Sequence, residues 1–137
     1  MKSTYVLDTN NTARVVGYKK IGNKWSVNMM DVLDITGDGN IFSTMDDVIK
    51  WNIGFNKLFE KKTLKLIFSS GKYDYGKYIE YGFGWNIYKN SVNHSGGWLG
   101  TSTFIGRYPN NTYVIILSND EDADTQLIGK HVHQLIK

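Results

Sequence analysis

This chain of 137 residues has a single proline, and Pro109 stands where it constrains the fold most. Thr103–Tyr108 before it and Thr112–Ser118 after it are rich in β-branched and aromatic residues, and Pro109-Asn110-Asn111 has turn chemistry. The three stretches together predict an antiparallel hairpin. Val114 to Leu117 shows no polar alternation, which predicts a central strand covered on both faces. Upstream, Tyr81-Gly82-Phe83-Gly84-Trp85-Asn86-Ile87-Tyr88 alternates aromatic with small residues, so it reads as a strand with its large rings on one face.

The period is helical earlier in the chain. Thr44 is a good N-cap with Asp47 three residues on, a capping box with aspartate in place of glutamate. Met45, Val48, Ile49, Asn52, Phe55, Leu58 and Phe59 follow with i, i+3, i+4 spacing, predicting a helix to about Phe59 with Trp51 flanking its stripe. Thr63 to Phe68 predicts a second helix, closed by Ser69-Ser70-Gly71. Before these, Tyr5-Val6-Leu7, Ala13–Tyr18 and Lys24–Val27 read as short strands. Asp8–Asn11 forms a turn, and Lys19–Asn23 a hairpin connection. Asp120 to Asp124 puts negative charge at the start of a last helix. That helix has the stripe Ala123, Leu127, Ile128, His131, Val132 and Leu135. His131 and His133 are two apart, point to different helical faces and read as structural.

The predicted class is α+β: an antiparallel sheet with packed helices in one domain spanning residues 1–137. Short β-segments occupy 1–30, a helical part 44–70, the sheet 81–119 and the C-terminal helix 122–137. A chain of this length buries roughly two thirds of its unfolded surface, enough for one core. Hydrophobic and aromatic contents of 41% and 14% exclude a disordered chain. Of 16 basic residues only Arg14 and Arg107 are arginine, and the net charge of +3 is scattered. The pattern reads as solvation, not a nucleic-acid surface. No apolar run approaches the ~20 residues of a membrane helix. The first residues lead into strand-like sequence, with no signal-peptide core. The absence of cysteine excludes disulfides and thiolate metal sites.

Two stretches carry candidate chemistry. Asp34-Ile35-Thr36-Gly37-Asp38-Gly39-Asn40-Ile41 half-matches a calcium loop, but the position of the bidentate carboxylate is Met45. Asn93-His94-Ser95-Gly96-Gly97-Trp98-Leu99-Gly100-Thr101-Ser102 is the more informative. Its glycines allow close approach of a backbone or ligand. Free strand-edge amides beside a titratable ring are how many sites hold a developing oxyanion. The plainer alternative is a glycine-rich hairpin on which His94 merely packs. Trp25, Trp51, Trp85 and Trp98 read as packing, a sugar platform being the alternative. Trp98 is the exception, because it adjoins the run.

Three blocks stand in fixed order: Gly37-Asp38-Gly39-Asn40-Ile41-Phe42-Ser43-Thr44-Met45-Asp46-Asp47, then Tyr81–Trp85, then His94-Ser95-Gly96-Gly97…Gly100 followed by Leu117-Ser118-Asn119. Together they resemble the C-terminal part of the serine β-lactamase and penicillin-binding-protein-like hydrolases, in the class C and D-alanyl-D-alanine-peptidase branch. The resemblance runs from about Ala13-Arg14…Gly17-Tyr18 to the last helix. It implies a partial β-lactamase/transpeptidase-like fold lacking its N-terminal part and most of the helical subdomain. It further implies that His94 faces substrate, Gly96 leaves room for it, the Gly97 amide is one of two oxyanion donors, and Ser95 contacts a substrate carboxylate. Trp98 adds substrate contact. No cofactor or metal is implied. The implied partners are a peptide or small-molecule substrate in the parent enzyme and the missing portion of the same fold. Such enzymes are often exported or in the cell envelope, and richness in lysine, asparagine and tyrosine suggests an AT-rich bacterial genome.

The family's S-x-x-K nucleophile and its Y-x-N partner lie upstream of the region this chain resembles. Ser69-Ser70-Gly71-Lys72 and Tyr88-Lys89-Asn90 match as strings only: the first ends a helix through Gly71, and the second lies a few residues before the H-x-G run. Tyr108-Pro109-Asn110 is a hairpin turn. The expectation is therefore a C-terminal portion inactive alone. The alternative is a non-catalytic module for cell-wall peptide or glycan.

Overall fold

The computed structural model describes residues 1–6, 14–29, 37 and 39–136. In chain order the elements are β1 (Tyr5–Val6), β2 (Tyr18–Ile21), β3 (Lys24–Val27), β4 (Ile41–Phe42), α1 (Met45–Phe55), α2 (Lys61–Ile67), β5 (Gly71–Lys72), β6 (Tyr78–Ile79), β7 (Tyr81–Gly82), β8 (Trp85–Tyr88), β9 (Ser91–Trp98), β10 (Thr101–Tyr108), β11 (Thr112–Ser118) and α3 (Thr125–Leu135). The fold is α+β, as predicted. Its main sheet is antiparallel, in the order β11-β10-β9-β8-β7, and the remaining strands pair as β1-β4, β2-β3 and β5-β6. Leu7 to Ala13 and the acidic residues of the half-matched calcium loop, Asp34 and Asp38, lie outside the described residues.

Tight turns build the sheet. Leu99 and Gly100 join β9 to β10 with φ of 38° and 83°, the double left-handed turn whose twist matches the strands it connects. Asn110 and Asn111 do the same work after Pro109, with φ of 60° and 55°; asparagine tolerates that region because its short side chain bonds locally. Phe83 and Gly84, at 49° and 82°, correct one expectation. Tyr81–Tyr88 is not one strand but the hairpin β7–β8, with Tyr81 opposite Asn86 and Gly82 opposite Trp85.

Thr44 caps α1 as expected, its hydroxyl accepting from the Asp47 amide at 3.3 Å. The Asp47 carboxylate turns to the N-terminal segment, accepting from the Ser3 amide at 2.7 Å and the Thr4 hydroxyl at 3.0 Å. These bonds hold its pKa below the usual 3.8, the Ser3 amide foremost, against the opposing effect of burial. The helix stops at Phe55, short of Phe59. Asn56 forms the C-cap, and the amides of Lys57 and Leu58 fall back to the carbonyls of Gly54 and Phe55 in tight turns. Phe59 still meets Phe55, ring centroids 5.3 Å apart. The second helix begins at Lys61, two residues earlier than predicted. Likewise β2 begins only at Tyr18, and Arg14 to Gly17 are not strand; Ala13 lies outside the described residues.

Helices cover both sides of the sheet. The face bearing Trp85, Arg107 and Tyr113 meets α1 and α2 in an aromatic cluster. Trp51 stacks on Trp85 at 6.1 Å, and Phe55 and Phe68 stand edge-on to Trp85 at 6.3 and 5.8 Å. Arg107, only 7% exposed, is held inside it. Its Nη1 donates to the Asn52 carbonyl and Oδ1 at 3.0 and 3.1 Å, and its Nη2 to Asn56 Oδ1 at 2.7 Å. Its guanidinium lies 5.1 to 5.9 Å from the rings of Phe55, Phe68, Trp85 and Tyr113. A cation over ring faces is attracted by their quadrupoles, while burial lowers its pKa.

The opposite face bears fully buried Phe104 and packs under α3. Here the predicted stripe is corrected. Leu127, Ile128, Val132 and Leu135 are exposed, and α3 meets the sheet through Thr125 and Gly129. Ser102 Oγ donates to the Ala123 carbonyl at 2.7 Å and lies 2.9 Å from Thr125 Oγ1. Gly129 brings the helix backbone onto the Phe104 ring. The final strand is also corrected: β11 ends the sheet. Val114 is buried, but Leu117 is 39% exposed. Of the tryptophans, Trp51 and Trp85 pack in the core, whereas Trp25 and Trp98 are exposed.

Candidate functional site

Strand β9 carries the glycine run. β10 pairs with it from Val92 to Trp98, whereas β8 reaches only to Asn93, opposite Asn86. From His94 to Trp98 the second edge therefore has no strand neighbour among the described residues. Ladder alternation fixes what that edge offers. Trp98 and Thr101 flank a two-residue turn and form a hydrogen-bonded pair, so Gly96 and His94 also direct their backbone groups to β10. The amides and carbonyls of Ser95 and Gly97 point the other way, onto the open edge.

Side chains along the edge alternate as well. His94 and Trp98 share one face and are exposed, Trp98 at 59%. The His94 ring lies 6.5 Å from the ring of Tyr81. Ser95 is exposed on the other face. A Cβ on Gly96 would come within 3.0 Å of Thr103 Oγ1, while one on Gly97 would meet nothing nearer than 3.8 Å. Bare backbone is thus presented over two residues. Its donors are fixed in direction, which is what a site for developing negative charge on oxygen requires.

The far end of the strand is clasped. Gly100 packs on Gly17: a Cβ on Gly17 would lie 2.7 Å from the Leu99 carbonyl. The Tyr18 amide donates to the carbonyls of Gly100 at 3.1 Å and Asn119 at 2.9 Å, and the Asn28 amide to Gly17 at 2.9 Å. Glu121 Oε2 accepts from the Gly100 amide at 3.1 Å and from Asn28 Nδ2. The β2–β3 hairpin and the segment after β11 therefore set the turn that ends β9. Tyr81 and Glu121 are the residues here that the sequence did not single out; Tyr81 was legible only as a strand ring and Glu121 only as helix-start charge.

The string matches to a nucleophile are not brought to this edge as a Ser/Lys pair on one helix. Ser69 Oγ ends α2 by donating to the Leu66 carbonyl at 2.7 Å. Lys72 is on β5 with its ammonium 5.5 Å from the Tyr78 ring. Lys89 and Asn90 form the β8–β9 turn.

No protein-family model matches the chain. Penicillin-binding protein 4* of Bacillus subtilis (strain 168) is 32% identical to it over 100 residues, which take in 67% of this chain and 22% of that protein. The chain thus spans about a fifth of the length of the curated relative it matches. The likeness supports a relationship to penicillin-binding proteins. No helix among the described residues is long and apolar enough to cross a membrane.

Proposed function

We propose that this chain is the substrate-edge portion of a serine acyl-transfer enzyme of the β-lactamase and D-alanyl-D-alanine-peptidase kind, and that it is inactive alone. The observation that carries the reading is the open edge His94–Trp98, with the Ser95 and Gly97 amides directed outward beside an exposed imidazole. In the parent reaction a serine hydroxyl attacks an amide, ester or β-lactam carbonyl. The serine loses its proton, the amine or alcohol leaves with one, and water then releases the acid. The Gly97 amide is one of two donors to the tetrahedral oxyanion, worth ~3–4 kcal/mol in transition-state stabilisation. His94 faces the substrate, Gly96 gives it room, Ser95 contacts its carboxylate and Trp98 packs on it. Serine and base come from outside this chain, in keeping with the places of Ser69 and Lys72.

A second reading has its own support. Trp98 is 59% exposed and Tyr81 lies beside His94, which suits a module that binds cell-wall peptide or glycan without cleaving it. Both readings are tested by nitrocefin hydrolysis and by amide shifts on titration with an acyl-D-alanyl-D-alanine peptide. The first expects no hydrolysis and, at most, weak shifts confined to His94–Trp98. Saturating shifts without hydrolysis favour the binding module. Hydrolysis that Ser69→Ala abolishes overturns the inactive reading.

A further inference from the structure

The guanidinium of Arg107 is buried without a carboxylate. Its hydrogen-bond partners are the neutral oxygens of Asn52 and Asn56, and it forms no salt bridge among the described residues. Nη1 has two acceptors and Nη2 one, so one Nη2 hydrogen and the Nε hydrogen of its five donors have no protein acceptor among the described residues. As a cap on the α1 carbonyls and a cation among rings it is partly compensated. A desolvated cation nevertheless remains short of an anion.

Arg107 lines a cavity of about 340 Å³ between Asn56 and Phe68, at the C-terminal ends of α1 and α2, the β8–β9 turn and the β10–β11 turn. The other polar groups of its wall are neutral: Tyr88, Asn90, Ser91, Asn111 and Tyr113 among them, with no carboxylate. Hydroxyls and side-chain amides can all donate. One fixed positive charge with spare N–H groups, ringed by neutral donors, is complementary to an oxyanion. We propose that this cavity binds a small oxyanion group, a carboxylate or a phosphate, on Arg107. The site lies at the opposite end of β9 from the glycine run and does not depend on the function proposed above.

The test is thermal unfolding of the 137-residue chain in inorganic phosphate and, separately, in acetate, each against chloride at equal ionic strength. A ligand of the folded state raises the melting temperature along a binding isotherm. Saturation in phosphate alone identifies a phosphate site, in acetate alone a carboxylate site, and in both a site for either group. Arg107→Gln abolishes the effect but removes bonds of the core. Asn111→Asp therefore decides the matter: it leaves Arg107 in place, at a position with φ of 55° that aspartate also tolerates. It sets a like charge on the wall and weakens the apparent affinity about tenfold or more. No rise beyond chloride in either anion, or an Asn111→Asp variant with undiminished affinity, overturns the proposal.

Discussion

The three glycines at the end of β9 look interchangeable in sequence, yet the structure ranks them, and Gly100→Ala is the substitution that tests the ranking. At φ of 83° a Cβ costs about 1 kcal/mol from the left-handed conformation alone. That Cβ would also stand 2.6 Å from Gly17 Cα and closer still to the Asn28 carbonyl oxygen. Backbone atoms cannot swing aside as a side chain can, and overpacking of this kind costs about 1–3 kcal/mol. Parting the two segments also breaks the hydrogen bond from the Tyr18 amide, about 1 kcal/mol more. The total is a loss of about 4 kcal/mol. For a urea slope near ~2 kcal/mol/M this lowers the unfolding midpoint by about 2 M. Gly97→Ala is the control: its Cβ meets nothing within 3.8 Å, and relief of glycine's entropy cost in a strand makes it neutral or stabilising by up to ~1 kcal/mol. Midpoints for the two variants within about 0.5 M of one another, at unchanged slope, would refute the clasp as described.

Three further outcomes follow from the geometry. Gly129→Ala gains about 1 kcal/mol in helix propensity, but its Cβ would lie 2.5 Å from Phe104 Cδ1; the overpacking wins, and urea denaturation shows a net loss of about 1 kcal/mol. Asp47 has a depressed folded-state pKa, so its contribution is full above the usual 3.8 and is lost as pH falls below that toward the folded value. Asp47→Asn therefore lowers stability at neutral pH and flattens the acid limb, measured by melts between pH 2 and 7; an unchanged limb would remove Asp47 from the account. Gly97→Pro deletes an outward amide while leaving the β9–β10 ladder intact, since proline is tolerated on a strand edge. Any shifts produced by the acyl-D-alanyl-D-alanine peptide at Ser95 and Trp98 then disappear, and their persistence would exclude the Gly97 amide as a donor.

Local signals made the sheet legible. The Pro109-Asn110-Asn111 turn and the apolar stretches flanking it place β10 and β11 within a residue or two, whereas no bounds could be read for β9, which takes up much of the glycine run. The helix cap at Thr44 was equally plain, because a capping hydroxyl acts on an amide three residues away; at the last helix only the acidic start was legible, and its cap is Asp124. The inward face of α3 was not. Counting apolar residues selects Leu127, Ile128 and Leu135, whereas α3 buries Thr125 and Gly129, whose value is the close approach they permit, and stacks His133 on Tyr108. Small residues carry no hydrophobic signal. Arg107 was hidden for a related reason: arginine reads as surface, and only the meeting of Phe55, Phe68, Trp85 and Tyr113 creates the box that buries it. The open edge at His94–Trp98 could be suspected from its glycines, but its length depended on where β8 stops, and Gly84 shortened that strand by turning the chain early.

The clasp at Gly100 also bears on the order in which the molecule forms. It joins Asn28 to Glu121 and Lys20 to Asp122 across separations of 93 and 102 residues, whereas β9, β10 and β11 are linked by turns of two or three residues. Loop-closure entropy favours the near contacts, so the three-stranded meander assembles first and the clasp closes late. Interactions absent from the folding transition state govern escape from the native state rather than arrival at it. Loosening the clasp therefore speeds unfolding while leaving the refolding rate nearly untouched. The turn that ends His94–Trp98 is fixed in place only after residues 17–28 and 119–122 have met.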